Sequence, residues 1–340
     1  MRFPTRGAVA VILALSGLAG VVSASAASGQ SIAVMKGASF DFDADTAITS
    51  NGKIVWVANS AGNSVAELSA TTDSRLSLFK SSKYGFDGPN RLSDDGTDLW
   101  VANSAGNSVT ELNATTGALV RVIKGSSYKL HGTSLVTSNG TDVWISNLRG
   151  TTLAELSASS GALITDVNVS KLGLVQATAM TSDANHLWVV DSAKNEVADL
   201  NVGSGSLVKL LKGSAYRFDG PVPITSDGTH VWVGNDRTDS LTEVNAKTGS
   251  FVRFIKGKTF DLNVMTAITS NGKDVYVASL GVGPSPTAVS EFNASTGAFV
   301  VAMSGPGFGL DAPNDLTFAD GHVWIANTGM DAVVEVLSAG

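Results

Sequence analysis

Short apolar runs, separated by clusters of small polar residues, extend along most of the chain. Leu99–Ala102 and Val109–Asn113 are two such runs, flanked by the turn residues Asp94-Asp95-Gly96 and Ala114-Thr115-Thr116-Gly117. Short β-branched and apolar runs bounded by Gly, Asn and Asp are typical of β-hairpins. Nothing between these runs has the length or the period of a helix. The pattern therefore predicts an all-β protein.

The same unit recurs along the chain, and one aromatic residue, which we call the landmark, identifies each copy. The landmarks are Trp56, Trp100, Trp144, Trp188, Trp232, Tyr276 and Trp324. Five successive spacings are 44 residues and the last is 48. A fixed period of about 40–45 residues is typical of the blades of a β-propeller. The sequence predicts a seven-bladed β-propeller with four antiparallel strands in each blade.

The two ends of the chain predict how the ring of blades closes. The last unit stops after its third strand, near Val336, whereas Ser31–Gly37 matches the fourth-strand pattern of Val120–Gly125 without any strands before it. We expect this N-terminal strand to complete the last blade, because an open ring would expose sheet edges that promote aggregation. Residues 27–340 would then form one domain.

The first 26 residues have the features of a secretory signal peptide. Arg2 and Arg6 form a basic start, Gly7–Val22 is apolar and uncharged, and Ala24-Ser25-Ala26 offers small residues to a signal peptidase. The apolar run is shorter than the roughly 20 residues of a membrane-spanning helix, and an uncleaved anchor is the alternative. We expect residues 1–26 to be removed and the mature bacterial protein to be secreted, either extracellular or in the cell envelope.

Composition narrows the possible partners and chemistry. The chain has 340 residues, 23 of them Lys or Arg and 30 Asp or Glu, with a net charge of −7. This acidic balance gives no reason to expect binding to nucleic acid, and no later segment is expected to hold the mature chain in a membrane. There are no cysteines, which excludes disulfides, thiol catalysis and thiolate metal sites.

Two recurring positions are interpreted as scaffold. A carboxylate follows the landmark by eleven residues in six units, and an insertion displaces it in blade six. These residues are Glu67, Glu111, Glu155, Asp199, Glu243, Glu291 and Glu335. Seven copies related by rotation cannot all serve one asymmetric substrate, so we expect them to have a structural role and to hold backbone donors or donors of the neighbouring blade. His186, His230 and His322 precede the landmark by two residues, and we expect them to be solvated turn residues.

Val-Trp-Val-Ala-Asn-Ser-Ala-Gly-Asn-Ser-Val at 55–65, with its near copy at 99–109, resembles the YVTN-type and NHL-like propeller repeats. These repeats occur in exported and surface-layer proteins and in the virginiamycin B lyase-like family. In that family a His in a Pro-His-Gly-like context, a Glu three residues after a landmark Trp and a second His act with a magnesium ion. His131-Gly132 resembles the first element, with Leu130 in place of Pro, but no landmark is followed by Glu three residues later.

The units differ most on one predicted face, formed by the loops between second and third strands and by the loops that lead into the first strands. Blades one and two have identical loops between these strands, whereas the loops of blades three to five introduce cations. Loops on a rigid scaffold commonly carry function, and Arg binds carboxylate or sulfate with two donors. The sequence thus predicts a site for a polar or anionic ligand, with ordinary surface variation as the alternative. Its residues are Arg149, Gln176, Asp191, Lys194, Asp219 and Arg237.

The position thirteen residues before the landmark is a candidate for catalysis or for metal binding. It lies on the loops that lead into the first strands, which we call the leading loops. It holds His131 in blade three and Asp43, Asp87 and Asp311 in blades one, two and seven. His131 is the candidate general base, since such a base needs a pKa near the working pH. The three carboxylates are candidate ligands of a calcium or magnesium ion near the channel mouth, because these cations prefer oxygen ligands.

Two functions follow from these features. The favoured one is a secreted binding or interaction module that uses this face around the central channel, with an unknown extracellular small molecule, glycan or protein as its partner. The alternative is a metal-assisted lyase or lactonase-type hydrolase at the channel mouth, with His131 as its base. The sequence favours the first function, since it lacks the Glu and the nearby second His of the lyase-like pattern. It also contains no Gly-x-Ser-x-Gly elbow, phosphate-binding loop or zinc-binding His pair.

Overall fold

The protein folds as a ring of seven antiparallel sheets around a central channel. The computed structural model describes residues 22–25, 31–147, 151–283 and 285–338. Six sheets each contain four consecutive strands, and the seventh combines the last three strands of the chain with two N-terminal ones. The first strands of neighbouring blades contact one another around the channel. The predicted all-β, seven-bladed architecture is therefore confirmed.

The strand bounds follow the repeat closely. Blades one and two contain Asp45–Ser50, Ile54–Asn59, Ser64–Ser69, Arg75–Phe79, Pro89–Asp94, Asp98–Asn103, Ser108–Asn113 and Leu119–Lys124. Blades three and four contain Thr133–Ser138, Asp142–Asn147, Thr152–Ser157, Leu163–Asn168, Ala179–Ser182, His186–Asp191, Glu196–Asn201 and Leu207–Leu211. Blades five and six contain Pro221–Ser226, His230–Asn235, Ser240–Asn245, Phe251–Lys256, Met265–Ser270, Asp274–Ser279, Ala288–Asn293 and Phe299–Ser304.

Helical structure in the described part of the chain is confined to short 3-10 turns. These are Ser82–Tyr84, Ser126–Tyr128, Val169–Leu172, Pro306–Phe308 and Thr328–Met330. Over the same residues, no helix combines the length and the apolar character needed to cross a bilayer.

The last blade closes the ring with a strand from the N-terminal end. Pro313–Ala319, His322–Asn327 and Ala332–Leu337 form its first three strands, and Ser31–Lys36 pairs antiparallel with the third, with Ile32 opposite Val336. The predicted closure is confirmed. A fifth strand, Val22–Ser25, pairs with the outer edge of Ser31–Lys36. The last blade therefore has a complete set of four strands even when Val22–Ser25 is not counted.

The core lies between blades. All seven landmarks are fully buried, and Trp100 packs against Val143, Ile145 and Ala154 of the next blade. In the same way, Met35 of the closing strand packs with Trp324 of its own blade and with Val57 of blade one. A single blade thus leaves one apolar face of its sheet uncovered until its neighbour is in place.

A partial belt of hydrogen bonds joins the first strands around the channel. Most first strands have a β-bulge near their start, where the register with the second strand shifts. The side chain of the residue at the bulge forms a hydrogen bond to the neighbouring blade. The Asn314 amide donates to the carbonyl of Thr46 (2.6 Å), the Thr46 hydroxyl to the carbonyl of Pro89 (3.2 Å), and the Asn90 amide to the carbonyl of Ser134 (3.3 Å). These bonds hold blades seven, one, two and three in register at the channel.

Met35→Ala tests the energetic role of the closing strand. Truncating this fully buried side chain between the last and first blades should lower the free energy of unfolding by about 2–5 kcal/mol, since it leaves a cavity. Val120→Ala removes an exposed side chain from an outer strand and should change stability by less than about 0.5 kcal/mol. Urea unfolding measures both. Equal effects of the two substitutions would show that the closing strand does not carry the core between these blades.

Candidate functional site

An amide or carboxylate three residues after the landmark ties together the two kinds of loop on one face. The side-chain Oδ1 of Asn147 accepts the backbone N–H of His131 (2.9 Å), and Asn327 accepts that of Asp311 (2.7 Å). Asn235 does the same for Asp219 (3.3 Å). The loops between second and third strands and the leading loops therefore lie on the same face, as the sequence predicts. We call this the long-loop face.

A second set of polar side chains on this face connects neighbouring blades. Asn63, Asn107 and Asn195 have φ between 47° and 57°, a left-handed conformation that Asn tolerates better than most residues. Asn63 accepts the N–H of Gly88 in the next blade (2.7 Å), Asn195 that of Gly220 (2.8 Å), and Asn107 that of Gly132. The recurring Asn residues of the loop motif thus hold the scaffold together.

Most predicted ligand-binding side chains project from these fixed loops. Arg237 is 64% exposed, and its Nη1 lies 3.6 Å from Oδ1 of Asp219, which is 42% exposed. Gln176 is exposed, and exposed Lys194 donates through Nζ to the carbonyl of Gly173. Arg149 lies outside the described residues. Blades four and five therefore present a Lys, an Arg–Asp pair and an amide to solvent on one face.

Asp191 differs from the other predicted ligand-binding residues. Its side chain is fully buried. One carboxylate oxygen accepts the backbone N–H of Val175, and the other accepts those of Ala193 (3.1 Å) and Lys194 (3.3 Å). Asp191 therefore occupies the same scaffold position as Asn147, with its carboxylate turned toward the backbone.

The predicted catalytic and metal-binding residues are exposed and distributed over separate blades. His131 is exposed, and its backbone N–H is held by Asn147. Asp43, Asp87 and Asp311 are exposed at the same loop position of blades one, two and seven. Within the described ranges, no three Asp, Glu or His side chains gather closely enough to hold a metal ion. Because these residues do not converge on one point, we derive no reaction step through a metal.

The recurring carboxylates beside the landmarks are buried inside the blades. Glu111 binds Arg121 of the adjacent fourth strand (Nε to Oε2, 2.8 Å), and Glu243 binds Arg253 (2.6 Å). Burial raises the pKa of Glu111 to about 7, although Arg121 opposes the shift. In these two blades the carboxylate has the predicted structural role, but its partner is a cation of the same blade and not a backbone or neighbouring-blade donor.

The expectation that three of the histidines are solvated is wrong. The His186 side chain is 19% exposed, and its Nδ1 lies 2.7 Å from Oδ1 of Asp199. His322 contacts Glu335 in the same way, and His230 lies 3.1 Å from Asp227. The cause for His186 and His322 is strand register, because each carboxylate stands opposite the landmark and so lies diagonally across from the His.

Blade three has a recurring carboxylate without a cation opposite it. Glu155 faces Thr165 on the fourth strand, in the register where Glu111 faces Arg121. Its side chain is fully buried, and among the described residues neither oxygen has a hydrogen-bond donor. Burial raises the pKa of Glu155 to about 7, and the nearby carboxyl of Asp142 raises it further.

The central channel contains a cavity of about 210 Å³ that the sequence analysis did not identify. The first-strand regions of all seven blades line it. The position nine residues before the landmark lines this space in six of the blades, all except blade one. At this position only Arg91 of blade two and Asp315 of blade seven are charged; the others are Ala47, Leu135, Ala179, Pro223 and Ala267.

Arg91 and Asp315 are held separately at the channel wall. Asp315 accepts the backbone N–H groups of Ile48 (3.1 Å) and Leu316 (2.9 Å), and Arg91 donates through Nη1 to the carbonyl of Asn90 (2.8 Å). Burial raises the pKa of Asp315, and the positive charge of Arg91 opposes that shift. Comparing the seven units at this position would have revealed both residues from the sequence.

The ring of blades, the long-loop face and the lined channel define a seven-bladed β-propeller. No family model and no curated relative matches the sequence. Among solved structures, a streptogramin B lyase has a TM-score of 0.68 at 17% identity, covering 90% of this chain and 97% of its own. Virginiamycin B lyase from Staphylococcus aureus has a TM-score of 0.70 at 15% identity, covering 90% and 99%. The RRP9 WD40 repeats have a TM-score of 0.71 at 10% identity, covering 94% and 99%. The expected similarity to virginiamycin B lyase-like propellers is confirmed as a distant similarity of fold.

Glu155→Gln tests the buried carboxylate of blade three. A raised pKa in the folded state means that the unfolded chain releases this proton first, so wild-type stability should fall as pH rises from about 4.5 to about 7. The Gln variant loses this component and should gain about 2 kcal/mol relative to wild type between pH 4 and pH 8. Urea unfolding at both pH values measures the difference. Asp166→Asn, which removes an exposed charge from the same blade, should follow wild type, and a Glu155→Gln profile parallel to wild type would contradict the assignment.

Proposed function

We propose that this protein is a binding module that receives its partner on the long-loop face, around the mouth of the channel. One observation carries the proposal: the backbones of these loops are tied within and between blades, while Lys194, Arg237 and Gln176 remain exposed. Rigid loops with projecting polar side chains lose little conformational freedom on binding. The fold itself is shared by lyases and by WD40 repeats, so the argument rests on the loops.

The partner that this face suits best carries carboxylate or sulfate groups. Among the described residues, Asp219, at 3.6 Å, is the acidic group within ion-pair distance of the Arg237 guanidinium, and most of the guanidinium donors are open to solvent. A guanidinium binds planar or tetrahedral anions with two parallel donors, and Lys adds a mobile point charge. We include Arg149 in this site from its position in the sequence. An acidic glycan is an extracellular partner of this chemistry.

Binding to an array of sulfated and carboxylated glycans tests the proposed face. Wild type should bind at least one acidic glycan, and the double variant Arg149→Ala/Arg237→Ala should reduce binding at least tenfold, because a charged hydrogen bond contributes about 1.5–3 kcal/mol. The control is Lys53→Ala/Lys247→Ala, which removes two exposed cations from turns at the opposite end of the blades. Undiminished binding by the Arg double variant would place the site elsewhere.

We also propose that the protein is exported and cleaved after Ala26. The basic, apolar and small-residue order of residues 2–26 supports this, as does the fact that the last blade has its four strands without Val22–Ser25. In a bacterial host, intact mass should then show a mature protein beginning at Ala27. Ala26→Phe places a bulky residue at the cleavage position and should preserve the precursor. Recovery of wild type with its first 26 residues attached would refute cleavage.

A further inference from the structure

The channel cavity has a charged side and an apolar side. Arg91, Asn314 and Asp315 from blades two and seven line one part of it. Leu135, Met180, Val222, Pro223 and Ile224 from blades three to five line another part. Small-molecule sites combine apolar side chains with a few convergent polar groups, and this cavity offers both, although polar groups supply most of its surface.

The charged side has unused hydrogen-bonding capacity. A guanidinium carries five N–H donors, and within the described residues the hydrogen bond of Arg91 to Asn90 is the one it forms. Asp315 accepts one backbone N–H at each oxygen, and each carboxylate oxygen can accept a second bond. Buried Oδ1 of Asn90 likewise has no hydrogen-bond donor among these residues. Polar groups in such a place are stabilised by a partner that satisfies them.

Charge and size restrict that partner. Arg91 and Asp315 together carry no net charge, so a ligand with one positive and one negative group leaves no uncompensated charge in a partly buried space. An apolar cavity of about 150 Å³ binds benzene, and this cavity of about 210 Å³ has room for a similar group and several more atoms. The side chains of Leu135 and Met180 on another part of the wall offer contacts to a hydrocarbon group next to the charged groups.

We propose that the channel binds a free α-amino acid with an apolar side chain. Its carboxylate would pair with Arg91, its ammonium with Asp315, and its side chain would pack against Leu135, Met180 and Pro223. This site lies inside the ring of first strands and uses none of the long-loop residues, so it does not depend on the glycan-binding proposal.

The test uses L-phenylalanine and two analogues that each lack one charged group. Protein with ¹³C-labelled Met methyl groups is titrated with L-phenylalanine, 3-phenylpropionate and phenethylamine. The Met180 methyl lies on the channel wall and should shift with L-phenylalanine, while the buried Met35 and Met303 methyl groups should not. Each analogue should bind at least tenfold more weakly, since it leaves one half-buried charge unpaired.

Two variants locate the binding groups, and a control separates them from the long-loop face. Arg91→Met should abolish the shift of the Met180 methyl, and Arg237→Met, on the long-loop face, should leave it unchanged. Ala179→Leu keeps both charges, fills the cavity with the side chain that blade three already has at this position, and should also abolish binding. Because Ala179→Leu leaves Arg91 unchanged, this second variant remains informative if Arg91→Met fails to fold.

Several results would overturn the proposal. These are the absence of a Met180 shift at millimolar L-phenylalanine, equal binding of either analogue, and unchanged binding by folded Ala179→Leu. A failure here with acidic-glycan binding intact would reject the channel site alone, and the reverse would reject only the long-loop face.

Discussion

The packing of each blade against the next is the constraint on which the rest of this structure depends. A four-stranded sheet has two faces, and the landmark aromatics are fully buried because a neighbouring blade covers them. Apolar burial is the main favourable term in folding, so no blade can be stable alone. The ring must therefore close, and the chain does this by placing Ser31–Lys36 beside Ala332–Leu337.

Closure also determines how polar groups are used. Backbone N–H groups of the leading loops are satisfied by side chains such as Asn147 within a blade and Asn63 between blades. The most regularly repeated loop motif therefore has a structural role. It recurs because each copy joins one blade to the next. Under the proposed function, specificity comes from positions where the blades differ, such as Arg237 and Lys194.

The same reasoning applies to charge in the interior. Most recurring carboxylates lie beside a partner, as Glu111 does with Arg121 and Asp199 with His186, because an uncompensated buried charge is costly. Glu155 lacks such a partner, and burial, together with the nearby carboxyl of Asp142, raises its pKa to about 7. Arg91 and Asp315 are different, since they line the channel at a position that holds small or apolar residues in the other five blades.

The sequence alone determined the number of blades, the closing strand and the face that carries the variable loops, because a strict period and local turn residues specify each unit. It also identified Lys194, Asp219, Gln176 and Arg237 as residues of that face. The tertiary structure decided which residues line the channel and which carboxylate each His meets. The bond between Asp315 and Ile48 joins residues 267 positions apart, and only closure of the ring brings them together. The sequence pattern also did not show that Asp191 turns inward, because its direction depends on the backbone donors that the folded loops present.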